Sequence, residues 1–211
     1  MAYPNFRTYG CMGLHVSKQL VLLEDRNLKP LKGDESMISV EKYIINKDFM
    51  YMVGQHDRNG KLCTIVTEIN RVIIVDRSPL EILDDSIRCI GFNLSGAMET
   101  SKMLLCDKHM CPVMVNPIHM ICVFPNKSAK RPDAIWFNPD LILRTSILNR
   151  KARIEFKNGL IIIVPSNLYS FNHKLQTAEQ FKKIMTDEEK KPLTFTKSPK
   201  KGHRKGPKKR A

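Results

Sequence analysis

Two cysteine–histidine pairs could bind a metal. Cys106 and His109 are separated by two residues, and His119 and Cys122 repeat that interval in reverse order. An antiparallel strand pair carrying them could offer two sulfurs and two nitrogens to tetrahedral zinc, which leaves a small zinc module as one open reading. Against it, Cys122 lies in the apolar run ICVF, and the spacing meets zinc patterns only loosely. Gly91 and Gly96 have the glycine spacing that begins a P-loop, but Ala97 and Met98 follow where a phosphate-binding lysine and a magnesium-binding hydroxyl are required. There is no GxSxG elbow, no HExxH and no GKS or GKT, and the six histidines are dispersed. The expectation is a non-enzymatic protein without a cofactor.

Charge points to a different chemistry. The 211 residues carry a formal net charge of +14. Lys197, Lys200, Lys201, Arg204, Lys205, Lys208, Lys209 and Arg210 supply eight of those charges with no acid among them, leaving +6 on the rest of the chain. Such an excess points to a polyanionic partner, nucleic acid or an anionic membrane surface, through long-range attraction and counterion release. Ser198, Pro199, Lys200 and Lys201 form an SPKK element, and Arg204 to Lys209 has the Arg-Lys-Gly-Pro-Lys-Lys order of a basic groove-binding hook. Both types lay cations into narrow, electronegative A·T minor grooves, although generic phosphate attraction by a solvated polybasic tail stands beside that reading. Outside the tail, Arg88, Lys102, Lys108, Lys127, Lys130, Arg131, Arg144, Arg150, Lys151 and Arg153 are candidate DNA contacts. Lys130, Arg131 and Pro132 stand out, because two cations before a proline form a preset loop and Arg suits bidentate contact.

These side chains must be positioned by regular elements. From Lys42 the pattern is strand-like: KYIIN, FMYMV, a polar HDRNG turn, LCTIVTEI and RVIIVD. Asn59 and Gly60 suit a hairpin turn. Ser78, Pro79 and Glu81 then supply an N-cap, a first-turn proline and a capping-box acid, with Leu80, Leu83, Ile87 and Ile90 at helical spacing up to Gly91. Gly91 is expected to end that helix and Gly96 to support a tight turn. Pro112–Asn126 and Arg153–Pro165 read as further strands, the second with a turn at Lys157, Asn158 and Gly159. Tyr169 and Phe171 alternate with polar neighbours like a strand face. Thr177 and Gln180 make a second capping box, after which Leu175, Ala178, Phe181, Ile184 and Met185 share one apolar face, and Pro192 stops the helix. No two helical periods adjoin across a short turn, so no helix-turn-helix is expected. Trp136, between Ile135 and Phe137, is expected in the core.

The order of glycines, prolines and aromatics resembles the ComK family of bacterial competence transcription factors. The matching positions are Ser86, Arg88, Gly91, Gly96, Pro112, Pro117, Phe124, Pro125, Arg131, Pro132 and Trp136, followed by Ile154, Phe156, Asn158, Gly159, Pro165, Ser166, Ser170 and Phe171. The likeness covers roughly residues 40 to 183. It implies an activator of DNA-uptake and recombination genes that recognises A/T-rich promoter DNA largely through the minor groove, as a homo-dimer or tetramer. It also implies an adaptor-linked AAA+ protease controlling abundance, and RNA polymerase as an indirect partner. In one departure, Gly96, Ala97, Met98 and Glu99 stand where family members carry basic residues, which puts DNA affinity at that loop in question.

The composite expectation is an α+β fold: a single domain over residues 37–191, rich in antiparallel β-strands, with a short central helix and a C-terminal helix. Residues 1–36 read as an N-terminal extension, with Met37 an alternative start. Residues 192–211 read as a disordered basic tail, since their composition cannot bury enough apolar surface to fold. Cys11, Cys63, Cys89, Cys106, Cys111 and Cys122 read as reduced, buried thiols. No apolar run approaches the roughly 20 residues of a membrane span, and no leader pattern opens the chain, so a cytoplasmic, nucleoid-associated protein without a membrane partner is expected.

Overall fold

A computed structural model describes residues 38–105 and 110–189. The tail cations Lys200, Lys201, Arg204 and Lys205, the 1–36 extension and Pro192 fall outside the described residues, as do Cys106, Lys108 and His109.

Within these bounds the α+β, mainly antiparallel architecture holds. Strands β1 (Ile38–Val40), β2 (Phe49–His56), β3 (Leu62–Glu68) and β4 (Val72–Val75) precede helices α1 (Pro79–Arg88) and α2 (Leu94–Leu104). Strands β5 (Val113–Asn116), β6 (Ile121–Pro125) and β7 (Ile135–Phe137) complete a seven-stranded sheet in the order β1-β4-β3-β2-β7-β6-β5. All its pairings are antiparallel except the parallel pair β1 and β4. A three-stranded antiparallel sheet follows, β8 (Ile142–Leu148), β9 (Lys151–Phe156) and β10 (Ile161–Val164), with β9 central, and then α3 (Leu168–Glu189).

The two faces of the large sheet bury separate cores, as strand alternation requires. On one face Met52, Val66, Ile73 and Trp136 pack against Ile82, Leu83 and Ile87 of α1. On the other, Met50, Phe124 and Phe137 meet Ala152, Ile154 and Phe156 of the small sheet and Phe171 and Ala178 of α3. Phe137 lies 5.3 Å from Phe171, edge to face. Each such fully buried side chain contributes about 1.5–3 kcal/mol of transfer free energy. Trp136 is fully buried, as its apolar neighbours predict.

The α1 capping box forms as read: the Glu81 amide donates to Ser78 Oγ and the Ser78 amide to Glu81 Oε2. Five expectations are corrected. KYIIN is not a strand: residues 42–46 are irregular, although burial still alternates, with Tyr43 and Ile45 inside and Lys42 and Ile44 outside. Gly96 does not make a tight turn but sits in the first turn of α2, where its amide donates to Asn93 Oδ1 at 2.7 Å. An adjacent helix pair therefore exists, α1 and α2 joined through residues 89–93. Tyr169 and Phe171 belong to the start of α3, and Thr177 is no cap: α3 begins nine residues earlier and the Thr177 hydroxyl donates to the His173 carbonyl within it. The apolar face of α3 is as read, with Ala178 and Phe181 buried.

Candidate nucleic-acid interface

The nominated cations that lie among the described residues fall on three separate elements. The first is the β6–β7 loop. Its base is closed by Asn126, whose amide donates to the Ile135 carbonyl while its Oδ1 accepts the Ile135 amide at 2.9 Å. Lys174 of α3, its ammonium partly desolvated and its pKa lowered by burial, donates to the Asn126 carbonyl. Arg131 donates its amide to Ser128 and Ala134 to Arg131, so the loop is a pair of turns. It also rests directly on β2. A Cβ built on Gly54 would lie 2.3 Å from the Pro132 carbonyl oxygen, so only glycine admits this approach.

On this frame Asp133 receives two cations. Arg131 Nε donates to Oδ1 at 2.9 Å and Nη2 to Oδ2 at 3.3 Å, while Lys127 Nζ donates to Oδ2 at 2.7 Å. Hydrogen bonds from Arg131 and then Lys127 hold the Asp133 carboxyl down to about 2. Lys130 is exposed, and among the described residues it has no ion-pair partner. The loop is thus preset, as its proline suggests, but one carboxylate partly neutralises two of its three cations.

The second element is the β8–β9 hairpin. Asn149 and Arg150 turn it with positive φ at both positions, 49° and 62°, a pairing that suits the right-handed twist of the flanking strands. Arg150 and Lys151 are exposed there. Along the strands, Arg144 Nε donates to Glu155 Oε2 at 2.7 Å, and Arg153 Nη1 lies 3.5 Å from the same oxygen.

The third is the helix pair. Arg88 donates to Asp84 Oδ2 at 2.7 Å, one helical turn back, while Asp84 Oδ1 accepts the Leu94 amide at the start of α2. Asp84 therefore fixes Arg88 and the entry to α2 together. The outward side of α2 carries Ser95, Glu99, Lys102 and Met103, one acid to one cation. Ala97 and Met98, where the ComK resemblance leads one to look for basic residues, pack inward against the core.

The structure does not bring the described half of the zinc reading together. Cys122 is fully buried beside Leu105, Met114 and Phe181, and burial pushes its thiol up. His119 is exposed on the β5–β6 turn. Among the described residues no group of three potential ligands forms, and Cys106 and His109 lie outside them. The expectation that the cysteines are buried fails at Cys89, which is exposed past the end of α1. Among the described residues no helix is long and apolar enough to cross a membrane.

Sequence reasoning found the cations and missed the two acids that arrange them, Asp133 and Glu155. The available signal was local: Asp133 stands two residues after Arg131, and Glu155 two after Arg153 on the same strand.

Comparison with known proteins places these elements in a family. The model of the ComK protein family matches residues 40–190. A competence transcription factor of Bacillus subtilis (strain 168) is 27% identical over 142 residues, covering 64% of this chain and 71% of the relative. No solved structure matches the chain.

Proposed function

The chain belongs to the ComK family, and on that premise we propose that it is a competence transcriptional regulator that activates its genes by binding A/T-rich promoter DNA. The observation that carries this reading is the family match over the whole described fold, joined to a net +14 charge presented from exposed loops and a polybasic tail. Recognition proceeds largely through the minor groove. Exposed cations on preset turns suit the narrow, electronegative groove of A/T runs, and the groove's depth can be read without a recognition helix. The loop cations Lys127, Lys130 and Arg131, the hairpin cations Arg144, Arg150 and Lys151, and Arg88, Lys102 and Lys108 are the contacts of the domain. The tail cations Lys200, Lys201, Arg204 and Lys205 add phosphate attraction. The protein acts as a homo-dimer or tetramer in the cytoplasm, on the nucleoid, reaches RNA polymerase indirectly, and is held in check by an adaptor-linked AAA+ protease. No catalytic step is part of this function.

A second reading has an observation of its own: eight cations without an acid in the tail could bind any nucleic acid by themselves. Truncation after residue 191 separates the two. If the domain reads DNA, the truncated protein keeps its preference for A/T-run duplexes over G/C-rich competitors, with a shallower dependence of affinity on salt. Loss of all preference on truncation leaves the tail-only reading standing.

A further inference from the structure

The small sheet has an outward face with an unusual concentration of charge. Between Ile142 and Lys157 there are five cations, Arg144, Arg150, Lys151, Arg153 and Lys157, and one acid, Glu155. Register decides where they point. Ala152, Ile154 and Phe156 of β9 are fully buried, so Lys151, Arg153 and Glu155 alternate onto the opposite side. Arg144 pairs with Glu155, Ser146 with Arg153 and Leu148 with Lys151, which puts Arg144 on that same outward side across the strand boundary.

Glu155 is the pivot. Its side chain is 14% exposed and is shared by two guanidiniums, one from each strand, while those of Arg144 and Arg153 are 68% and 29% exposed. One carboxylate cannot neutralise two guanidiniums, and each guanidinium keeps N–H donors beyond those turned to Glu155. The result is a pair of guanidiniums drawn to one carboxylate on the outward side of the two strands, with Arg150 and Lys151 at the adjoining hairpin turn. Planar forks of this kind match phosphate oxygens bidentately, and spending little rotamer freedom on binding strengthens each interaction.

We propose that the outward face of the β8–β9 hairpin is a DNA-backbone contact surface of its own, bordered by Ile161 and Ile163 of β10, on which Glu155 presents Arg144 and Arg153 to the phosphates of a duplex. It stands apart from the β6–β7 loop. That loop rests on Gly54 toward one end of β2, whereas the small sheet packs on Met50 near the other. Glu155 acts as a positioning residue and makes no contact with DNA. The proposal rests on the DNA-binding reading above.

The test uses the full chain and an A/T-run duplex, titrated across a series of salt concentrations. Arg144→Ala with Arg153→Ala is expected to lower the slope of log affinity against log salt by about 2, one for each phosphate that is no longer neutralised. The charge-matched pair Lys42→Ala with Lys183→Ala, on exposed positions outside the small sheet, leaves the slope within about 0.5 of the parent, well below the change that one phosphate makes. Equal falls in slope in both double variants, or none in the arginine pair, overturn the proposal. Glu155→Gln gives a second, independent arm. Removing an acid beside a polyanion strengthens generic attraction, so a fall in affinity, expected to be about threefold or more for one misaligned arginine, in a variant whose denaturation midpoint matches the parent's, reports disturbed alignment. Unchanged or higher affinity removes the positioning role. If the parent protein shows no preference for A/T-run DNA over G/C-rich DNA, it is the proposed function that fails, a result separate from either variant.

Discussion

Asp133 shows how much one side chain can change the meaning of its neighbours. Lys130, Arg131 and Pro132 are legible in sequence as a preset cationic loop, because proline restricts both itself and the residue before it. What the sequence does not announce is that Arg131 and Lys127 turn back onto a single carboxylate while Lys130 is left to solvent. Exposed ion pairs of this sort stabilise the fold little, so their effect is on side-chain direction. Changing Lys130 and Arg131 together to Ala is expected to weaken binding to an A/T duplex by about 1–3 kcal/mol, the usual effect of removing a direct interaction with DNA. Fluorescence anisotropy at physiological salt measures it. An affinity equal to the parent's moves the binding surface away from this loop.

At the scale of elements, the helix on which capping signals and apolar spacing agree was readable, and the helices on which they disagree were missed or misplaced. For α1, cap, first-turn proline and apolar spacing all agree. For α2, glycine, serine and threonine dilute helix propensity, and the apolar spacing is weak. Its start depends on two oxygens from outside it, Asn93 Oδ1 on the Gly96 amide and Asp84 Oδ1 on the Leu94 amide. Replacing Asn93 by Ala is therefore expected to cost about 1 kcal/mol, as the removal of other N-caps does, visible as a lower denaturation midpoint with an unchanged slope against urea. A midpoint equal to the parent's shows that Asp84 alone secures the helix start. The misplaced start of α3 has the opposite cause: a Thr-x-x-Gln pattern looks like a capping box, yet inside a helix the same hydroxyl bonds back to the carbonyl four residues earlier. The packing of Phe171 between Phe124 and Phe137 holds the first turns of α3 in place, and it joins residues far apart in the chain.

For the whole molecule, the buried carboxylate of Glu68 joins parts distant in sequence. The Tyr43 hydroxyl and Asn46 Nδ2 donate to its Oε1 at 2.8 and 2.7 Å, and Arg71 donates to its other oxygen. Burial pushes this carboxyl up, but the hydrogen bonds from Arg71, Asn46 and Tyr43 more than offset it and hold it below the ordinary carboxylate value. Because the folded pKa is depressed, the stabilisation is present above the unfolded value of about 4.3 and is lost as pH falls through the folded value. Chemical denaturation should therefore give stability that is level from neutral pH down to about 5, then falls in acid. Glu68→Gln should lower stability at neutral pH by about 1–3 kcal/mol and reduce the acid-side fall. A variant with the parent's acid profile would show that other carboxylates set it. KYIIN, strand-like by composition, is held without a ladder: its Tyr43 and Asn46 side chains reach Glu68, and the Ile45 amide donates to Ser86 Oγ of α1. The sequence by itself determined the class of fold, the hairpin turns at Asn59–Gly60 and Lys157–Gly159, the first helix and the cationic character, but not strand β8 or its turn at Asn149 and Arg150, because alternation, capping and charge are local and survive in one dimension. Only the tertiary structure decided which cations share an acid and which face each strand turns outward. Those depend on register between β8 and β9, and on a loop that fits against Gly54, between residues that local patterns do not link.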